Sequence, residues 1–172
     1  MSPSRWLAWL VALVWFAWAA AIDTQLRAGS GVPDWLPDIG IALFVAWSVR
    51  MEVRDLWILA CLATLARASF SVEPPVALLA AHLAVVMGVR LGRRSFDLTR
   101  ALARATVAGA VAAVWILWTW LVLVARHGEG DAPTWGLLSS AALGTAALTL
   151  ILGGLFVKLP GAGALLGRRI LR

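Results

Sequence analysis

Six apolar runs organise the chain, separated by short stretches that carry charges, prolines and glycines: Trp6–Ile22, Trp35–Val49, Leu56–Val72, Pro75–Val89, Ala105–Ala125 and Trp135–Val157. A helix needs about 20 mostly apolar residues to cross a bilayer, with a range of roughly 17–25. The first, fifth and sixth runs meet this length, and the third meets it by including Arg67. The second and fourth hold 15 residues each. At 1.5 Å per residue they reach about 22 Å, against a hydrocarbon core of about 30 Å. Helices this short persist where the bilayer thins, where flanking arginines snorkel, or where neighbouring helices cover their ends. The pattern therefore predicts an all-α membrane protein. It forms one transmembrane domain over residues 1–172, with six helices at about 6–22, 35–49, 56–72, 75–89, 105–125 and 135–157.

The basic residues set the orientation. Cytoplasmic loops of membrane proteins collect Lys and Arg. With the N-terminus inside, six spans place twelve of the 15 basic residues on the cytoplasmic side: Arg5, Arg50, Arg54, Arg90, Arg93, Arg94, Arg100, Arg104, Lys158, Arg168, Arg169 and Arg172. Arg27, Arg67 and Arg126 fall outside, and every connection alternates as the rule requires. Both termini are then cytoplasmic. A four-span topology that demotes runs two and three moves Arg50 and Arg54 outside; one that demotes runs three and four leaves Arg67 inside. Each also strands long apolar segments. Residues 1–22 admit two readings: a secretory signal ending near Ala19-Ala20-Ala21, or an uncleaved first helix. The four tryptophans Trp6, Trp9, Trp15 and Trp18 suit the second.

Composition agrees with a lipid-solvated chain. Hydrophobic residues make up 62% and charged residues 14%, where a soluble domain carries about 25% charged. The net charge of +6 and the pI near 11.4 would raise nucleic-acid binding in a soluble protein. Here the basic residues sit between apolar runs, which makes them topogenic, so no nucleic-acid partner is expected. Cys61 is the single cysteine, which excludes an intrachain disulfide; His82 and His127 share no ligand spacing, so neither a metal nor a cofactor is expected. With 11 Trp and no Tyr, tryptophan must supply the interfacial aromatic belt.

Some residues stand out as candidate contacts. Val32-Pro33-Asp34-Trp35-Leu36-Pro37-Asp38 opens the second run. Proline suits a first turn, and carboxylates suit the positive end of a helix dipole. Pro33, Asp34, Trp35 and Asp38 thus mark either a helix start at the membrane surface or a partner or ligand contact on the outer face. Arg67 lies within a span, where a charge costs roughly 2.5–3.5 kcal/mol at the centre and less near the surface. It either snorkels or pairs, with Glu73 close by, or makes a buried polar contact to another subunit. His82 is either a neutral side chain bonded across helices or a ligand contact. Small residues recur every four positions at Ala101, Ala105, Gly109 and Ala113, at Gly136, Ser140 and Gly144, and at Gly88 and Gly92, a spacing that permits close helix approach. Arg90, Arg93, Arg94, Arg100 and Arg104 read as contacts to anionic lipid headgroups. The sequence contains no Ser/His/Asp arrangement, no HExxH and no Walker loop, and it pairs no carboxylates on one helix face. An enzyme is not expected.

The layout resembles the rod shape-determining MreD family. The residues that carry the resemblance are Pro33-Asp34-Trp35-Leu36 before the apolar stretch Ile41–Trp47, the basic turn from Arg50 to Arg54, and the stretch Leu65–Pro75 at the end of the third helix. The family usually has an acid where this chain has Arg67, and a glycine that is absent here. The resemblance implies a non-enzymatic scaffold subunit of the bacterial cell-elongation machinery, in the inner membrane. It would bind an MreC-like partner and, through it, a RodA-type glycosyltransferase, a transpeptidase and MreB filaments. It also implies a bundle like that of the S components of vitamin transporters. A substrate-binding transporter subunit is accordingly the alternative, with a small assembly factor of another membrane complex behind it.

Overall fold

Each apolar run folds as a helix, but the ends differ from the runs in ways that decide what the site contains. The computed structural model describes residues 3–28, 36–95, 97–98, 100–128 and 131–166. The helices are α1 (Pro3–Ala28), α2 (Ile39–Ser48), α3 (Val53–Ala68), α4 (Pro75–Ser95), α5 (Ala101–His127), α6 (Trp135–Phe156) and a one-turn α7 (Ala162–Leu165). Among the described residues there is no strand.

Among the boundaries that depart from expectation, three bear on the charged groups. The first helix runs past Ile22 to Ala28, so Asp23 and Arg27 stand on a helix and not in a loop. The second begins at Ile39, four residues later than the apolar run. The second Pro-Asp pair sets that start: Asp38 is the N-cap, extended at φ −84° and ψ 106°, and its carboxylate accepts the Ile41 N–H at 2.7 Å. The fourth helix continues to Ser95 and carries Arg90, Arg93 and Arg94.

Four helices, α1, α4, α5 and α6, are long and apolar enough to cross a membrane. The chain is thus a multi-pass membrane protein. The other two expected spans are shorter: α2 has 10 residues and α3 has 16, about 15 Å and 24 Å of helix. Their shortness has a packing cause. All of Ile41–Ser48 is buried, so α2 is a core helix enclosed by its neighbours. A helix that is apolar all round belongs in such a place. One side of it packs Phe44 and Trp47 against Phe16, Leu56, Leu59 and Val86. The other packs Ile41 and Val45 against Leu78, Val89, Ala108 and Trp115. The Trp47 indole N–H donates to the Phe156 carbonyl at 2.7 Å and ties α2 to the end of α6. Large apolar side chains outside this core point away from the protein, among them Leu7, Leu10, Val14 and Trp18 on α1 and Leu143 and Ile151 on α6.

The tightest pairing joins α5 to α6. A Cβ on Gly109 would stand 2.7 Å from the Ala142 carbonyl oxygen, so only glycine permits this approach. The buried positions on α5 are Arg104, Ala105, Ala108, Gly109, Ala112 and Trp115; on α6 they are Leu138, Ala141, Thr145, Thr149 and Gly153. Of the small residues singled out in the sequence, Ala105 and Gly109 lie on this contact, while Ala113, Ser140 and Gly144 are partly exposed beside it and Gly136 is exposed. Gly88 is exposed with nothing within 4 Å of a built Cβ, and Gly92 lies against Leu98.

The two ends of the bundle differ in charge. At the basic end, Arg5 of α1 is ion-paired with the buried Asp55 of α3. Arg93 of α4 donates to the Ser48 and Met51 carbonyls, covering the C-terminus of α2 as a cation should. Arg104 is buried, its guanidinium beside Gly153 of α6. Arg93 and Arg104 thus make contacts within the bundle, whereas Arg90, Arg94 and Arg100 are exposed. The opposite, acidic end holds the site.

Candidate functional site

The site is built around the N-terminus of α2. Four residues bring charge or polarity to it from four elements. Asp38 caps the helix from within, with Oδ1 on the Ile41 N–H. Asp23, projecting from α1, accepts the Ile39 N–H on Oδ1 and the Gly40 N–H on Oδ2, both at 3.1 Å. Two carboxylates therefore satisfy three of the amide donors that a helix start leaves free. Arg67, from the last turn of α3, donates Nη1 to Asp38 Oδ2 at 2.8 Å. Thr145 of α6 accepts the Asp38 N–H at 3.1 Å on its hydroxyl.

This polar knot is deep. Asp23 and Asp38 are 7% and 5% exposed. Charges at such depth persist only when paired and hydrogen-bonded. Gly40 leaves room for the knot: a Cβ there would meet Asp38 Oδ1 at 3.3 Å and Asp23 Oδ2 at 3.5 Å.

Aromatic groups back it. The Arg67 guanidinium carbon lies 4.6 Å from the centre of the Trp115 ring, in cation–π contact. The His82 ring meets Trp115 edge-on at 4.8 Å between centres and lies tilted against Phe44 at 5.0 Å. Its Nδ1 lies 3.0 Å from the Thr64 hydroxyl and 2.9 Å from the Leu78 carbonyl. His82 is thus bonded across α3 and within α4, behind the site and not in it.

Above the knot, the ends of α1, α3, α5 and α6 enclose an open cavity of about 580 Å³. Its floor includes Asp23, Asp38, Arg67, Trp115 and Thr145, and its rim includes Arg27, Glu73 and Asp131. A second cleft of about 320 Å³ separates α4 from α5, lined by Ala81, Ala84 and Gly88 on one side and by Val107, Val111 and Val114 on the other. Trp118 bridges its end nearer the cavity by donating Nε1 to the Ala77 carbonyl at 3.1 Å. Among the described residues, no three His, Cys, Asp or Glu side chains are placed to hold a metal ion.

Of the candidates read from sequence, Asp38 and Arg67 are brought together, His82 stands one ring behind them, and Pro33, Asp34 and Trp35 lie outside the described residues. Arg67 pairs with Asp38, an acid 29 residues away in sequence, at a distance that makes the bond direct. Sequence reasoning missed Asp23, Thr145 and the lining role of Trp115. Asp23 and Arg27 are spaced four apart in continuation of the first run, which was the available sign that α1 extends through them. Comparison of the chain with protein-family models, with curated proteins and with solved structures finds no match.

Proposed function

We propose that the chain is a non-enzymatic scaffold subunit of the bacterial cell-elongation machinery, seated in the inner membrane with both termini cytoplasmic and all six longer helices embedded. It holds the transmembrane helix of a single-span, MreC-like partner. The observation that carries this reading is the apolar cleft between α4 and α5. Its floor of alanine, valine and glycine side chains lets another helix backbone approach closely, the condition for association between helices in lipid. The resemblance at Ile41–Trp47 and at Leu65–Pro75 supports the choice of partner, and the absence of any catalytic set in the sequence agrees with a scaffold. Photocrosslinkers placed at Gly88 and Val111 in cells test it. Adducts to one single-span membrane protein from both positions are the expected outcome; adducts to lipid alone would sink the reading. Single cysteines at Arg27 and Lys158, in a Cys61→Ser background, should label from opposite sides of the membrane.

The open cavity favours a second reading, capture of a small ligand at the acidic end, which under the same topology faces outward. A scaffold has no need of an open cavity of about 580 Å³ with charged groups among its lining, whereas ligand pockets commonly fall within roughly 300–1,000 Å³.

A further inference from the structure

The wall that the bundle presents to lipid is not equally tall on all sides. Helices α5 and α6, packed against each other, run 27 and 22 residues. Their outward apolar side chains extend from Leu102 to Leu123 and from Trp135 to Leu155, spans of about 30 Å each. Helices α3 and α4 are also packed together, in part through Thr64 and His82. On α3 the outward apolar side chains reach only from Val53 to Leu65, and on α4 from Val76 to Leu91, about 18 Å and about 22 Å. Unlike α2, neither helix is enclosed: Trp57 and Ile58 on α3 and Met87 on α4 are exposed.

Charge limits this flank at the basic end. Arg54 is exposed at the start of α3 and ion-paired to Glu52 at 2.7 Å. Arg90 and Arg94 are exposed at the end of α4. Arg90 follows Gly88 by two residues, which places it on the side of α4 away from the cleft to α5. At the acidic end α3 stops at Ala68, and the exposed Ser69 begins the turn to α4. A flat hydrocarbon core of about 30 Å exceeds the taller of these two helix faces by ~8 Å. Either the arginines are drawn into hydrocarbon or the bilayer yields. An arginine in hydrocarbon costs far more than a few ångströms of mismatch.

We propose that the α3–α4 flank is a lipid-binding surface that thins the bilayer beside it by about 8 Å, while α5 and α6 meet bilayer of ordinary thickness. The occupant is an annulus of anionic lipid. Its headgroups are drawn toward the midplane onto Arg54, Arg90 and Arg94, whose apolar stems lie along the helices. The proposal rests on helix length, exposure and charge, and it is independent of the partner and ligand readings above.

Nitroxide labels test it in the full chain, in a Cys61→Ser background, reconstituted in dioleoyl phosphatidylcholine and phosphatidylglycerol. Val53→Cys and Leu65→Cys carry the labels on α3, and Val76→Cys and Leu91→Cys carry them on α4. Relative access to oxygen and to a nickel chelate gives the immersion of each label below the nearer hydrocarbon boundary. In a flat core the two immersions add to about 12 Å on α3 and about 8 Å on α4. Thinning predicts sums of about 4 Å on α3 and near zero on α4. The flat values overturn the proposal. So does oxygen access as low as at a buried position, which would mean that protein and not lipid covers the flank. Arg90→Leu combined with Arg94→Leu should let the Leu91 label sink by one helical turn, ~5 Å; an unchanged immersion overturns the assignment of headgroups to these arginines.

Discussion

Arg67 Nη1 donates to Asp38 Oδ2 at 2.8 Å, which ties the last turn of α3 to the residue that caps α2. The bond turns the one basic residue placed inside an expected span into part of the core. Removing one partner leaves the other charge buried and unpaired, which costs about 3–5 kcal/mol in such settings. Because the Arg67 side chain keeps 22% of its exposure, the loss in Arg67→Met should fall near the lower end, ~3 kcal/mol. Adding Asp38→Asn, which keeps the cap on Ile41 but removes the charge, should restore a large part of it. The check is a double-mutant cycle by denaturant unfolding in detergent. Equal and additive losses in the two single variants would show that the pair is not coupled.

Asp23 bears on the same helix start from a different element. Asp23→Ala strips the acceptor from the Ile39 and Gly40 amides. Each buried donor so orphaned costs about 1–3 kcal/mol, so the variant should lose ~2 kcal/mol or more. Asp23→Asn keeps one acceptor oxygen and should lose about half of that. Amide hydrogen exchange gives the specific readout: faster exchange confined to the first turn of α2 is expected, and a uniform increase across the bundle would contradict this assignment.

Glycines at two places on the helices should respond with opposite sign to the same change. Gly109→Ala drives a methyl to 2.7 Å from the Ala142 carbonyl and must push α5 from α6. Overpacking of this kind costs about 1–3 kcal/mol, more than the ~1 kcal/mol gained in helix propensity. Gly154→Ala meets nothing within 4 Å and should be neutral or slightly stabilising. Melting temperatures of the two variants in one detergent decide the matter.

Trp118 closes one end of the cleft between α4 and α5. Trp118→Phe replaces the indole by a smaller aromatic ring and removes the bond to the Ala77 carbonyl. The cleft should open at that end, read as a longer and broader spin-label distance between Ala77 and Leu121. If the cleft receives a partner helix, crosslinking at Val111 should fall as its shape changes.

Much of this bundle was legible from hydropathy because its outer helices are long. All six runs became helices. The charge pattern marks the two ends: Arg5, Arg93 and Arg104 cluster at one, and Asp23, Asp38 and Glu73 at the other. What periodicity could not show was α2. A short apolar run reads alike whether it is a thin span or an enclosed core helix, and only the burial of Ile41–Ser48 on every side distinguishes them. The Arg67 partner was equally hidden, since Glu73 is near in sequence and Asp38 is near in space. Gly109 was flagged by its spacing, but equal spacing at Gly136 and Gly144 falls off the contact, because an alanine- and glycine-rich helix repeats such spacings on several faces. The inward contacts of Arg93 and Arg104 were hidden for a related reason: composition gives the end of the bundle on which an arginine sits, not whether it turns inward to a carbonyl or a neighbouring helix.

The enclosure of α2 has a consequence for biogenesis. Ten residues of helix, about 15 Å long, cannot partition stably into a bilayer as an independent segment. Its C-terminal tryptophan bonds to Phe156 and its cap to Thr145, both on α6, the last long helix to be synthesised. The second helix therefore has no finished environment until translation is nearly complete. A nascent chain cut short before α6 holds an apolar segment whose Asp38 backbone N–H and Trp47 indole N–H lack their acceptors, and it is the natural target of membrane quality-control proteases.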